Sequence, residues 1–345
     1  MNVPALFGNM FSVPGTASAL LRSRKTQQLF LRENILPLLQ EAEQSNDGTL
    51  EASDFKKITG YYGLAIPAIV GDSFATLRGK KLTTKERLAL SYLGTITGLF
   101  DDFFDKHQLE DEKIRALLEQ PDSLTGQNSS EKLFLDCYRK ALGQAHDPQL
   151  VLHYFRKVYD AQIESKKQAQ PGLTEEEILR ITLHKGAVSV LFYRAAMEHP
   201  FLPGEEDAIY KMGGLMQFGN DIFDIYKDRN GGIHTLLTTT KKIDRVRSLF
   251  REVMEESFTS ISGLGYSSGN IKEYLRIFSL ALCSRCFVCL DQLESKEQLT
   301  GNLFSPGEYS RQDLICDMEK TGNRWKSLVY HLNERIRIPE TQKIS

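Results

Sequence analysis

Helical periodicity runs through most of the chain and constrains its fold more than any other feature. Apolar residues recur at spacings of three and four over long segments, which is typical of helices with one buried face. We find no hairpin signal, such as Asn-Gly between two alternating runs. Breakers rich in Gly, Pro and Ser separate the segments, and none is long enough to demand a second domain. The sequence therefore predicts an all-α fold, with an irregular lead-in over residues 1–25 and one helical domain over residues 26–345.

Several of the helical segments have recognisable starts. Thr174 and Glu177 form a capping-box pattern ahead of an apolar-periodic run, and Thr84 opens another segment with Glu86 in its first turn. These patterns predict helices over residues 26–43, 84–106, 130–142, 150–168, 174–198, 206–227, 243–261, 271–294 and 310–332.

The charge balance limits the class of partner. The chain has 43 basic and 45 acidic residues, a formal net charge of −2, and no basic stripe, so nucleic-acid binding is not expected. No apolar run is long enough to cross a bilayer, which argues against stable membrane insertion. The N-terminus lacks the basic and then apolar pattern of a secretory signal. Five cysteines in so long a chain are a poor disulfide framework, so we predict a cytoplasmic protein. A homodimer is left open.

A first acidic cluster closes the predicted helix 84–106. Asp101 and Asp105 are one helical turn apart on nearly one face, and Asp102 lies beside them. No Lys or Arg lies one turn upstream to pair with these carboxylates. The flanking residues predict burial on several sides: Ile96, Leu99, Phe100, Phe103 and Phe104. Buried carboxylates need protons, cations or a metal, and a hard divalent ion with oxygen ligands suits them.

A second acidic cluster lies in the predicted helix 206–227 and just beyond it. Asn220, Asp224 and Asp228 follow one another at intervals of four residues and form one stripe, with Asp221 beside Asn220. One amide and two carboxylates supply oxygen ligands only, which favours magnesium over zinc. Magnesium held by few carboxylates keeps positions open for phosphate oxygens. Two such helices facing each other would clamp a diphosphate between metal ions.

These residues carry a family resemblance. Asp101-Asp-Phe-Phe-Asp105 resembles the aspartate-rich DDxxD motif of class I terpene synthases and related isoprenoid synthases. Asn220-Asp-Ile-Phe-Asp-Ile-Tyr-Lys-Asp228 resembles the second metal motif of bacterial terpene cyclases, NDxxSxxKE; Asp224 stands where Ser or Thr is usual, and Asp228 where Glu is usual. Asp224 and the preceding Gln217 also resemble the second aspartate-rich motif of prenyl-chain elongation enzymes. The resemblance covers about residues 84–240.

The resemblance implies both an architecture and an activity. It implies a single-domain class I isoprenoid synthase-like helical bundle with a central apolar pocket. Three magnesium ions would bridge the substrate diphosphate to both motifs and draw it off a linear prenyl diphosphate, leaving an allylic cation that cyclises. The implied metal ligands are Asp101, Asp102, Asp105, Asn220, Asp224 and Asp228, and all of these except Asp102 are also assigned the catalytic role.

Departure of diphosphate also needs positive charge aimed at the leaving group. Arg180 and Lys185 lie on the helix before the second motif, where the related enzymes carry an Arg or a Lys that senses diphosphate. Lys227 lies within the metal stripe. Arg311, with Tyr309, is placed near the start of the last predicted helix and is similar to the C-terminal Arg-Tyr pair of cyclases. Gly186 would allow close approach of two helices or a local break.

Other residues suggest the wall of a pocket. Small residues upstream of the first motif, Gly94, Thr97 and Gly98, would leave room for a prenyl chain. Aromatic faces that could spread cationic charge come from Tyr61, Tyr62, Phe100, Phe104, Phe192, Phe218 and Phe223. Cys283, Cys286 and Cys289 have the spacing of an iron–sulfur motif, but their apolar run predicts buried structural thiols.

Three rival functions stay open. A prenyltransferase of the same superfamily could elongate a chain or couple two chains head to head, as in squalene or phytoene synthesis. The acidic stretch over residues 106–113 counts against elongation, which wants a basic patch there. An all-α nucleoside triphosphate pyrophosphohydrolase also uses acidic helices and magnesium, although its pocket should be more polar. The third rival is a helical interaction protein without catalytic activity.

Overall fold

Helices build the protein throughout the part that the structure describes. The computed structural model describes residues 3–333, and no strand occurs in that range, which confirms the prediction of an all-α fold. The first helices are α1 (Val3–Asn34), α2 (Leu36–Gln44) and α3 (Ala52–Lys57). Wide π-helical turns, Ile58–Tyr62 and Ile66–Gly71, enclose the short α4 (Gly63–Ala65) and lead into α5 (Asp72–Leu77).

The middle of the chain contains the helices that carry both acidic clusters. They are α6 (Thr84–Asp105), α7 (Asp111–Glu119), α8 (Ser129–Gln144), α9 (Pro148–Ser165), α10 (Glu175–Ala195) and α11 (Glu205–Asn230). Capping boxes fix the starts of α6 and α10. The Thr83 hydroxyl accepts from the Glu86 amide at 3.2 Å and the Thr174 hydroxyl from the Glu177 amide at 3.2 Å, so the predicted capping role of Thr174 is confirmed.

The last part of the chain is also helical. It comprises α12 (Leu236–Thr239), α13 (Ile243–Ser262), α14 (Ser268–Phe278), a π-helical turn at Ser279–Cys283, α15 (Ser284–Leu299), α16 (Arg311–Leu314) and α17 (Thr321–Asn333). None of the helices within residues 3–333 combines the length and apolarity needed to cross a bilayer, as the sequence predicted.

Several predicted segments differ from the structure, and the helix predicted over residues 26–43 is divided at Ile35 between α1 and α2. The lead-in was expected to be irregular, but α1 is helical from Val3 and contains Pro14. Its side chains are tied to other helices: Thr16 donates to Glu273 at 2.8 Å, and Gln27 donates to the Gly63 carbonyl at 2.9 Å. The single helix predicted over 310–332 is two helices, because the chain turns extended at Ile315 and buries the side chains of Cys316 and Met318.

The chain divides into two compact units. One consists of Ala17–Lys157 and Phe192–Pro200; the other consists of the start of the chain up to Thr16, Val158–Leu191 and the chain from Phe201 onward. Compact units of this kind need not fold separately, so one domain over residues 26–345 stays a prediction.

Each unit has an aromatic core. In the first, Phe155 packs against Phe100 at a ring-centroid distance of 5.1 Å and against Phe192 at 4.5 Å. In the second, Phe250 contacts Phe218 and Phe287, both at 5.4 Å. Burial of such large rings stabilises each unit. The packing also sets which face of α6 and of α11 lies in the core of its unit and which face lies outside it.

Candidate functional site

The acidic end of α6 carries one half-buried and one exposed carboxylate. Asp101 is half-buried and accepts a hydrogen bond from the Tyr62 hydroxyl at 3.0 Å. Burial and the neighbouring Asp101 charge raise the pKa of Tyr62 above its usual value, so this hydroxyl stays protonated and keeps donating. Asp105, one turn further along, is exposed at the end of the helix. These two carboxylates lie on one face, as the spacing predicted.

Asp102 has a different environment from its neighbours. It is 3% exposed, and its Oδ1 lies 2.7 Å from the Nζ of Lys57 on α3. The Nζ of Lys106 lies 3.6 Å from its Oδ2 and 2.6 Å from the carboxylate of buried Asp54. Burial raises the pKa of Asp102, and the charge of Lys57 opposes that rise. No Lys or Arg lies one turn upstream of Asp102, and its cationic partner Lys57 is instead 45 residues away in sequence.

The glycines upstream of this cluster do not leave open space. A Cβ at Gly94 would lie 2.8 Å from the Tyr62 carbonyl, and one at Gly98 would lie 3.3 Å from the Tyr62 ring. The Thr97 hydroxyl is bonded to the Leu93 carbonyl at 2.8 Å. The prediction that small residues here make room for a prenyl chain is wrong, since the π-helical turn at Ile58–Tyr62 and the residue after it fill that space.

The polar stripe on α11 is continuous, as the sequence predicted. Asn220 donates to Asp224 at 3.3 Å, and the Nζ of Lys227 lies 3.7 Å from the same carboxylate. Asp228 is half-buried one turn further along. Burial, together with the charges of Asp221 and Asp224, raises the pKa of Asp228 to about 7. The stripe concentrates negative charge that its own lysine only partly compensates.

A buried carboxylate supports this stripe from behind. Asp221 is 6% exposed and accepts from the Thr182 hydroxyl at 2.9 Å and from the Gln217 amide at 2.8 Å. Burial raises its pKa to about 6, although both hydrogen bonds oppose the rise. The sequence predicts only that Asp221 lies beside Asn220 on the helix, and it gives no role for the Asp221 side chain. The spacing of four residues indicates the contact with Gln217, whereas nothing in the sequence indicates the one with Thr182.

Lys185 faces the acidic side of α11, and Arg180 does not. The positive charge of half-buried Lys185 lowers the pKa of both Asp221 and Asp228 against the effect of burial. Arg180 is exposed and donates to Glu164 at 2.8 Å. The structure thus brings one of the two predicted α10 cations to the second motif and pairs the other with a surface glutamate.

Glycines set the distance between α10 and α11. A Cβ at Gly186 would lie 2.3 Å from the Gly213 carbonyl, and one at Gly213 would lie 2.6 Å from the Gly186 carbonyl. The two backbones therefore approach each other more closely than any other side chain would allow. This confirms the prediction that Gly186 allows close helix approach, and it explains how Thr182 reaches Asp221.

The predicted Arg-Tyr pair lies near the C-terminal end of α11. The guanidinium of Arg311 lies 5.7 Å from the ring centroid of Tyr226. At about 100° per residue, Tyr226 is about 160° around the helix from Asp224 and Asp228, so Arg311 contacts a different side of α11. Tyr309 is buried, and its hydroxyl is 2.7 Å from Thr300.

The cysteines are buried thiols, as predicted. All five are buried and none forms a disulfide, including Cys283, Cys286 and Cys289. The Cys286 Sγ lies 3.9 Å from the Gly219 carbonyl oxygen, and the Cys289 Sγ lies 3.5 Å from the Ile222 carbonyl oxygen. Burial raises the pKa of Cys286, which keeps it a protonated thiol that packs α15 against α11.

The donor set on α11 suits magnesium bound together with a ligand. Across residues 3–333, no three side chains among the histidines, cysteines, aspartates and glutamates are grouped so as to hold a metal ion. Magnesium, however, commonly takes one or two protein carboxylates and completes its shell with water and phosphate oxygens. Asn220, Asp224 and Asp228 offer two carboxylates and one amide oxygen, so they fit such an open shell. They would not form a closed protein cage.

Comparison of the chain with protein-family models, with curated proteins and with solved structures finds no match.

Proposed function

We propose that the protein is a magnesium-dependent class I terpene cyclase that ionises a linear prenyl diphosphate. The observation that carries this proposal is the charge on α11. A buried Asp221, a half-buried Asp228 with a pKa raised to about 7, and Asp224 share one helix end, where lysine charge compensates them only in part. The carboxylates of such a site are stabilised most by a small divalent cation that prefers oxygen ligands.

Each group has a defined task in this proposal. Asn220, Asp224 and Asp228 would bind magnesium and diphosphate at the end of α11, and Asp101 and Asp105 would bind magnesium at the end of α6. Magnesium, when bound, neutralises the charge that develops on the leaving diphosphate. Thr182 and Gln217 hold Asp221 in place behind the stripe, and Lys185 adds positive charge on the same side. Asp102, paired with Lys57, keeps the end of α6 tied to α3.

The cyclase reaction needs an apolar space beside the bound diphosphate, which stays a prediction. Such a space would keep water from the allylic cation and let aromatic faces spread its charge. Phe100, Phe192 and Phe218 pack in the cores of their units, so they are better described as core residues than as pocket wall.

The experiment is incubation of the purified protein with farnesyl and geranylgeranyl diphosphates, with magnesium or with EDTA, followed by gas chromatography and mass spectrometry. A cyclic hydrocarbon from a single substrate, formed only with magnesium, supports the proposal. D224N should abolish turnover. D207N is the matched control, because Asp207 lies on the same helix in an exposed ion pair with Lys211, and it should keep full activity.

The same assay separates the rival functions. A lengthened diphosphate formed with added isopentenyl diphosphate indicates a prenyltransferase, and coupling of two identical substrates indicates head-to-head chemistry. Pyrophosphate released from nucleotides indicates a pyrophosphohydrolase. If no substrate turns over, and magnesium with pyrophosphate leaves the melting temperature unchanged, the protein is a helical interaction protein.

A further inference from the structure

The only tryptophan of the chain is exposed. Trp325 lies on α17 and is 66% exposed, whereas the aromatic side chains of both unit cores are buried. An indole has a large apolar surface and one polar N–H, so it gains by moving to a boundary between water and an apolar phase. At 66% exposure, Trp325 leaves most of that apolar surface in water.

The surroundings of Trp325 make α17 amphipathic. Its inner face is anchored: Ser327 lies 2.7 Å from the Ser284 hydroxyl, and His331 lies 2.7 Å from the Ser279 hydroxyl. Val329, one turn beyond Trp325, continues the outer face and is only partly covered. Arg324 and Lys326, both exposed, lie on either side of the tryptophan, and Arg324 forms an ion pair with exposed Glu319. The outer face thus combines a small apolar surface, Trp325 with part of Val329, and basic side chains at its borders.

The end of the chain is strongly basic, although the whole chain has a net charge of −2. From residue 320 onward it contains two acidic residues, Glu334 and Glu340, and six basic ones: Lys320, Arg324, Lys326, Arg335, Arg337 and Lys343. A partner complementary to this segment carries negative charge. A second copy of the same face would bring like charges together, which opposes self-association there.

We propose that the outer face of α17, defined by Arg324, Trp325, Lys326 and Val329, docks on an anionic lipid surface. Interfacial helices combine an aromatic or aliphatic stripe with Lys and Arg on its borders, as this face does. Single-stranded nucleic acid is a poorer fit, because its binding sites offer several aromatic faces for successive bases and this face has one. The proposal is independent of the catalytic function, and it concerns peripheral contact without insertion of a helix.

The test uses the full chain and its own tryptophan. Emission of Trp325 is measured with vesicles of equimolar phosphatidylserine and phosphatidylcholine, and with vesicles of phosphatidylcholine alone, alongside co-sedimentation. We expect a blue shift and sedimentation with the anionic vesicles, both weakened by salt. W325A should lower the partition coefficient about ten-fold. K320Q/K326Q should lower it about 25-fold, since each basic residue near an anionic surface contributes about five-fold.

The control variant removes two positive charges from a different helix. Lys132 and Lys140 are exposed on α8, so K132Q/K140Q should bind anionic vesicles as the unmodified chain does. Three results would overturn the proposal. They are equal binding to both kinds of vesicle, unchanged binding by W325A, and a blue shift that grows with protein concentration without vesicles. The last would mean that a second copy covers the face.

Discussion

Asp221 offers the sharpest test of the electrostatics at the second acidic cluster. The D221N substitution removes its charge and keeps its shape. An asparagine can still accept the amide hydrogen bond of Gln217 and exchange a hydrogen bond with the Thr182 hydroxyl, which are now made at 2.8 and 2.9 Å. The substitution therefore changes mainly the cost of holding a carboxylate away from water.

The magnitude follows from the pKa of the folded state. The pKa of Asp221 is raised from 3.8 to about 6, because burial outweighs its hydrogen bonds. A difference of about two pKa units corresponds to a free-energy cost of about 3 kcal/mol at most for burying the ionised carboxylate, and we expect a cost of about 2 kcal/mol. Folding favours the protonated form of Asp221. Its contribution to the free energy of unfolding is therefore complete below the pKa of the unfolded state and is lost as pH rises through the pKa of the folded state.

The assay is urea unfolding in EDTA at several pH values. At about pH 4 the two proteins should have nearly equal free energies of unfolding, and by about pH 8 D221N should be more stable by about 2 kcal/mol. D122N is the control, because Asp122 is exposed and its replacement should give no pH-dependent difference. If D221N is less stable than the unmodified protein at about pH 8, an attractive charge such as Lys185 outweighs burial and the reasoning is wrong.

Three further predictions concern packing, ion pairing and thiol chemistry. G186A should lower the free energy of unfolding by at least about 2 kcal/mol, because its Cβ would lie 2.3 Å from the Gly213 carbonyl. G143A, which meets nothing within 4 Å, should raise it by about 0.5 kcal/mol, and equal effects in urea titrations would contradict this. K57M should cost about 2 kcal/mol, less than for a fully buried pair because Lys57 is partly exposed, and D102N added to K57M should recover most of that loss. The buried thiols of Cys137, Cys283, Cys286 and Cys289 should not react with a thiol reagent in the native protein, and fast labelling of these residues without denaturant would refute this.

Local patterns predicted the elements of the fold well. Helices α6, α10, α11 and α13 begin within one residue of their predicted starts, because caps and apolar periodicity lie next to each other in sequence. The stretch from residue 51 to 77 was not predicted. Its π-helical turns at Ile58–Tyr62 and Ile66–Gly71 widen the helix, so apolar residues leave the spacing that marks an ordinary amphipathic helix.

The site was predictable where its contacts are local. The stripe of Asn220, Asp224 and Asp228 follows from a spacing of four residues on one helix. The pairing of Lys57 with Asp102 and the support of Asp221 by Thr182 join distant segments, which periodicity does not reveal. The position of Arg311 against Tyr226 depends on the extended turn after α16, and an unbroken helix had been expected there.

The central claim is that each acidic cluster binds magnesium together with a diphosphate. A crystal structure of the protein grown with magnesium and pyrophosphate tests it most directly. We predict magnesium ions at about 2.0–2.1 Å from carboxylate oxygens of Asp101 or Asp105 on α6 and of Asp224 or Asp228 on α11, with pyrophosphate oxygens completing their shells. Clusters without magnesium, or a pyrophosphate bound away from both clusters, would contradict the account.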